Sequence, residues 1–143
     1  MESSIIRKED KSNTQKDRVP IRKAISQNKK RLDSASRIMI QSRNDISFVK
    51  VNTIMLIVAA KDYTEVFINN GRKLIVHKTM DEWDFRLPNY EFCRVHRSFI
   101  VNFNYIEKCM RSSPNTAIIV MRDISITVRV SRYYFQKLKL IYS

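Results

Sequence analysis

From Arg37 to Val130 the apolar side chains come in short runs divided by polar breaks, which limits this region to short strands and little helix. Alternation with period two anchors a strand by one face, and continuous apolar runs suit strands covered on both. Arg37-Ile-Met-Ile-Gln-Ser42 and Ile46-Ser-Phe-Val-Lys-Val51 flank the break Arg43-Asn44-Asp45. Ile54-Met-Leu-Ile-Val58 is continuous and predicts a strand buried on both faces. Thr64 to Ile68 and Arg72 to Val76 predict a hairpin around Asn69-Asn-Gly71, and Gly71 is the only glycine in the chain. Phe92 to Asn102 reads as one strand with a polar tip. Ala117 to Met121 and Ile124 to Val130 read as a further hairpin turning at Arg122-Asp123. No internal repeat is visible.

Two short helices interrupt this pattern. Thr79-Met-Asp-Glu82 fits a capping box, with Met80, Trp83 and Leu87 on one face and Pro88 as the stop. Trp83 reads as core filler under that helix. Ser131 predicts the N-cap of a last helix carrying Tyr134, Leu138 and Ile141 as an apolar row. The expected fold is therefore mainly β, an elongated antiparallel domain over 37–143 with two short helices. Residues 1–36 form a basic tail. Its first part, Glu2 to Arg18, is almost without apolar residues and reads as disordered. From Pro20 a weak helical stripe joins Ile21, Ala24, Ile25 and Leu32.

The 143 residues carry 27 Lys and Arg against 14 Asp and Glu, a net charge of +13. Residues 1–45 hold 12 basic and 6 acidic side chains, so the folded part shares the excess. Self-repulsion of this size points to a polyanionic partner: nucleic acid first, an anionic membrane surface second, an acidic protein third. No run approaches the roughly 18 to 20 apolar residues that span a bilayer. The first ten residues lack the apolar core of a secretory signal. Cys93 and Cys109 are too few for a disulfide scaffold and read as reduced thiols in a cytosol.

Enzymatic chemistry finds little support. One glycine cannot build a phosphate loop, no serine lies in a nucleophile motif, and the acids are scattered. Cys93 and His96 have C-x-x-H spacing, but along a strand they need a twist to converge, so no metal or other cofactor is expected. The informative chemistry is Arg94, His96, Arg97, Ser98 and Asn102, a fork, an imidazole, a hydroxyl and an amide within one strand. That set suits phosphates and base edges.

Residues 37–143 resemble the LytTR domain, a DNA-binding module of bacterial response regulators and small transcription regulators. The resemblance is carried by Thr53-Ile-Met-Leu-Ile-Val-Ala-Ala-Lys-Asp-Tyr-Thr-Glu-Val66, the helix ending Leu87-Pro88, Phe92-Cys-Arg-Val-His-Arg-Ser-Phe-Ile-Val-Asn102, and Val130-Ser-Arg-Tyr-Tyr134. It implies an antiparallel fold whose loops at strand ends enter successive major grooves of double-stranded DNA. By the same resemblance the first reading loop is Lys61, Asp62, Tyr63 and Thr64. The second is Arg94, His96, Arg97 and Ser98 with Asn102 in support, and the third is Ser131 and Arg132. Arg97 and Arg132 have the fork that pairs with guanine. Ser131 as N-cap would offer amides to a phosphate, and Lys61, Arg94, His96 and Lys137 would neutralise the backbone. Where the family usually carries an acid, this chain has Val58-Ala59. The 45 residues ahead are too few and too basic for a phosphoacceptor domain, so Asp62, Asp81 and Asp123 read as turn or cap residues.

The expected function is sequence-specific DNA binding in bacterial transcription regulation, with two copies on paired promoter sites and no small-molecule substrate. Two rival readings are a membrane-surface binder working through Pro20 to Arg37 and an RNA-binding module using Tyr63 and Tyr133. A regulatory protein docking on the tail is compatible with the first reading.

Overall fold

The apolar run Ile54 to Val58 becomes part of β3 (Ile54–Ala60), the middle strand of a five-stranded antiparallel sheet. The computed structural model describes residues 30–143, of which Arg31–Ser143 belong to one unit. The stripe expected over Ile21, Ala24 and Ile25 lies outside the described residues. Leu32, its last member, packs beside the sheet and donates its N–H to the Arg86 carbonyl at 2.7 Å.

Around β3 the chain adds β1 (Arg37–Gln41), β2 (Ile46–Lys50), β4 (Tyr63–Ile68), β5 (Lys73–Val76) and helix α1 (Met80–Arg86). It continues through β6 (Phe92–His96), β7 (Phe99–Asn102), β8 (Ile106–Ser113), β9 (Thr116–Met121), β10 (Thr127–Val130) and helix α2 (Arg132–Tyr142). The central sheet runs β5-β4-β3-β7-β6, with β1-β2 and β8-β9-β10 as separate sheets. Ile57, Val66 and Ile100 face Trp83, Ile38 and Ile40 in one core. Leu56, Val95 and Val101 face Ile119, Val128 and Val130 in another. Leu56 and Ile57 are both fully buried on opposite faces of β3, each contributing about 1.5–3 kcal/mol.

The local signals form where expected. Thr79 caps α1: its hydroxyl accepts from the Glu82 N–H at 3.0 Å, and Glu82 accepts from the Thr79 N–H at 2.8 Å. Asp123 turns with φ +64, so it is a turn residue as read. One expectation is corrected. Phe92 to Asn102 is a hairpin rather than one strand, with Arg97-Ser98 as its turn and a register shift between Arg94 and His96. The polar triplet His96-Arg97-Ser98 interrupts the apolar alternation, which resumes at Phe99 after the chain reverses. The strand β8 was not foreseen, because all of it beyond Ile106 is exposed and it is held by pairing with β9.

Gly71 sits at φ +91 in the β4–β5 turn, and its N–H donates to the Ile68 carbonyl at 3.0 Å. A Cβ there would meet nothing within 4 Å. The cost of Gly71→Ala is therefore backbone strain alone, about 1–2 kcal/mol. A urea melt should show that loss, and an unchanged midpoint would refute the requirement for φ > 0.

Candidate nucleic-acid interface

The register of the central sheet determines which loops meet. β3 and β7 are antiparallel neighbours, with Val58 opposite Phe99. The β3–β4 turn Lys61-Asp62 and the β6–β7 turn Arg97-Ser98 therefore lie at the same end of the sheet. The Ala59 N–H extends the ladder by donating to the Ser98 carbonyl at 2.9 Å. α2 starts at this end as well, since the Ser131 N–H donates to the Val95 carbonyl at 2.9 Å. Three segments distant in sequence thus converge.

Among the candidates, Lys61, Arg97 and Arg132 are exposed there. Ser98 is half-buried, and its N–H donates to His96 Nδ1 at 3.1 Å. Tyr63 is 36% exposed and packs edge-on to His77 at 6.3 Å. A hollow of about 460 Å³ is lined by this pair together with Lys61, Lys78 and Thr79. The Ser131 hydroxyl accepts from the Tyr134 N–H at 3.5 Å, so it is the N-cap expected. The earliest amides of α2 have no acceptor within the helix. Lys137 is exposed further along α2, with its ammonium 5.9 Å and 5.8 Å from the Tyr133 and Tyr134 ring centres.

Four candidates have polar groups engaged in bonds within the protein. Thr64 is 2% exposed, because strand alternation turns it inward where Tyr63 turns out. Its hydroxyl accepts from Trp83 Nε1 at 2.9 Å and donates to the Val76 carbonyl at 3.3 Å. Thr64 is a core bracket, which corrects its expected place in the first reading loop. Asn102 is fully buried at the far end of β7 and donates to the Ile54 carbonyl and to Glu91, each at 2.9 Å. It organises the chain there and does not reach the tips. Arg94 was expected to neutralise DNA backbone. Its side chain is 15% exposed and pairs with Asp81 at 2.6 Å while donating to the Arg97 carbonyl at 2.8 Å. Arg94 therefore positions the turn that carries Arg97.

His96 is the fourth. Its ring lies tilted against Phe99, with centroids 5.4 Å apart, and Nδ1 is taken by Ser98. Burial, then the Arg97 and Arg129 cations, hold its pKa below the ordinary 6.5. At neutral pH the ring is uncharged, so the cation expected of His96 is absent and a neutral Nε2–H donor remains. The same interaction brings in Arg129, an exposed β10 residue not among the candidates. Its signal in the sequence was the outward place between Val128 and Val130.

Cys93 lies half-buried in a groove between α1 and α2. Burial first, then the Asp84 carboxylate, push its thiol up to about 11, so it stays protonated and is a poor nucleophile. Among the described residues no three His, Cys, Asp or Glu side chains gather to hold a metal. None of the described helices is long and apolar enough to cross a membrane.

Comparison with known proteins resolves the family. The sequence model described as "LytTr DNA-binding domain" matches residues 44–143. The chain belongs to the LytTr DNA-binding domain family. A solved structure, the LytTr DNA-binding domain of a putative methyl-accepting/DNA response regulator from Bacillus cereus, is similar with TM-score 0.67 and 27% identity. That likeness covers 76% of this chain and 98% of the solved one. Sensory transduction protein LytT of Bacillus subtilis is 34% identical over 94 residues, 65% of this chain and 39% of the relative. LytT of Bacillus cereus is 38% identical over 65 residues, covering 46% of this chain and 26% of the relative. The matched stretch thus spans well under half the length of these relatives.

Two measurements test the site. Arg94→Ala should cost about 1–2 kcal/mol in a urea melt, since a charged donor to the Arg97 carbonyl is lost, whereas Arg97→Ala should cost under about 0.5. Equal costs would deny Arg94 its positioning role. In a proton NMR titration His96 should titrate below 6.5. The unfolded chain then binds the proton more readily, so His96 lowers stability as pH falls through 6.5 toward its folded value. A midpoint at or above 6.5 would contradict this.

Proposed function

We propose that this chain binds double-stranded DNA in sequence-specific fashion, as the output domain of a bacterial transcription regulator acting in the cytosol. Its membership of a DNA-binding domain family makes DNA the partner. The observation that most supports the finer reading is the convergence of two hairpin turns and the start of α2 at one sheet end. There Arg97 and Arg132 are exposed and no described acid pairs with them. On this reading the loops enter successive major grooves.

Arg97 and Arg132 are the base readers, since a guanidinium fork matches guanine O6 and N7. Lys61, Arg129 and Lys137 contact phosphates, which adds affinity without sequence preference. The amides at the start of α2, held by Ser131, receive a phosphate. Ser98 and Tyr63 line the approach, while Arg94, His96 and Thr64 position the tips. Two copies on paired sites, a domain running from 37 to 143, and a regulatory protein on the tail belong to the same proposal.

The test is selection of sites from a random duplex pool, followed by fluorescence anisotropy. Arg97→Ala and Arg132→Ala should each lose roughly 1–3 kcal/mol of discrimination at the bases they read. Binding should weaken steeply with salt, by about 0.9 in log–log slope per phosphate contacted. If either variant selects the wild-type site at wild-type affinity, the loop assignment is wrong. If single-stranded RNA displaces the duplex at equal concentration, the RNA-binding reading replaces this one.

A further inference from the structure

The β1–β2 turn, Ser42 to Asp45, ends beside the first of the three loops. Its backbone is locked: the Ser42 N–H donates to the Asp45 carbonyl at 2.9 Å, and the Ser42 hydroxyl does so at 3.3 Å. The Asp45 carboxylate accepts from the Ile46 N–H at 3.0 Å. That carboxylate serves its own turn, and no described side chain pairs with the exposed Arg43. Arg43 lines two hollows. One, of about 280 Å³, includes Gln41, His77 and Lys78. The other, of about 790 Å³, includes Asn44, Asp62, Tyr63 and His77. Among the described residues Asp62 is the single carboxylate lining either.

Strand order then gives the direction. β5 and β4 flank β3 on the side away from β7, and His77 follows β5 directly. Arg43 beside His77 and Tyr63 therefore extends the row of cations away from Arg97 and Arg132, past Lys61. The five strands of the sheet span about 19 Å at about 4.8 Å per spacing. A cation on the β5 side of the sheet lengthens the basic end past what the three loops cover.

We propose that this turn is a fourth DNA contact, in which Arg43 holds a backbone phosphate on the flank beyond the β3–β4 turn. The inference rests on the duplex-binding reading above. Contact is with phosphate and not with a base, because a single guanidinium at the side of the row adds charge without a second fixed group to read a base edge.

The experiment compares the full chain with Arg43→Ala and Arg43→Lys on a selected duplex and a scrambled duplex across a salt series. Arg43→Ala should weaken both duplexes by the same factor, about fivefold at physiological salt, and lower the log–log slope by about 0.9. Arg43→Lys should keep the slope, because a point charge suffices. Melting temperatures should match, since Arg43 is exposed and makes no bond that holds the fold. Wild-type affinity and slope for Arg43→Ala on DNA that the wild type binds would overturn the fourth contact alone. A loss confined to the selected duplex would also overturn it, by marking a base contact. Failure of the wild type to bind either duplex would overturn the duplex-binding reading itself, and this inference with it.

Discussion

The hydrogen bond from the Ala59 N–H to the Ser98 carbonyl closes the ladder between β3 and β7, and the position of the whole basic end depends on that pairing. Lys61 and Arg97 come from different hairpins. Only the antiparallel neighbour relation of these two strands sets their turns side by side. The relation is held firmly because the sheet is covered on both faces. A one-residue slip of β4 would drive Glu65 into the buried row now formed by Thr64, Val66 and Ile68. A slip is thus opposed by the cost of burying a carboxylate, and the loops inherit that rigidity.

Polar residues at this end divide by what their atoms already bind. Arg94 bridges Asp81 and the Arg97 carbonyl, His96 accepts from Ser98, and Thr64 joins Trp83 to β5. Each holds backbone or a core side chain in place. Lys61, Arg97, Arg129 and Arg132 stand outside those bonds and face water. A binding surface built this way keeps its cations available while its frame is ordered before any partner arrives, which reduces the entropy lost on association. The neutral state of His96 fits the same division, since the Arg97 and Arg129 charges that surround it are the ones left for a partner.

Much of the fold was legible because its signals are local. The apolar run of β3, the capping box at Thr79 and Glu82, the φ > 0 turn at Gly71 and the Ser131 cap all depend on residues a few positions apart. The Phe92 to Asn102 reversal was missed because Arg97-Ser98 carries no Gly, Pro, Asn or Asp, and serine alone is a weaker turn signal. β8 was missed for another reason. Its sequence Glu107-Lys108-Cys109-Met110-Arg111 has no inward row, and only the neighbouring β9 makes it a strand. The candidate site was legible as a set of residue types. Which of them point outward was not, because that follows from alternation and from partners far away in sequence.

By itself, then, the amino-acid order determined an antiparallel β class, a strongly basic balance and the resemblance carried by Phe92 to Asn102. Those follow from side-chain period, charge and motif, all readable along a line. Tertiary structure alone decided that Thr64 and Asn102 face inward, that Arg94 braces a turn, and that Arg43 and Arg129 stand near the basic end. Whether a polar side chain is available to a partner depends on what the fold has already bonded to it, and those bonds reach across strands that the chain order leaves apart.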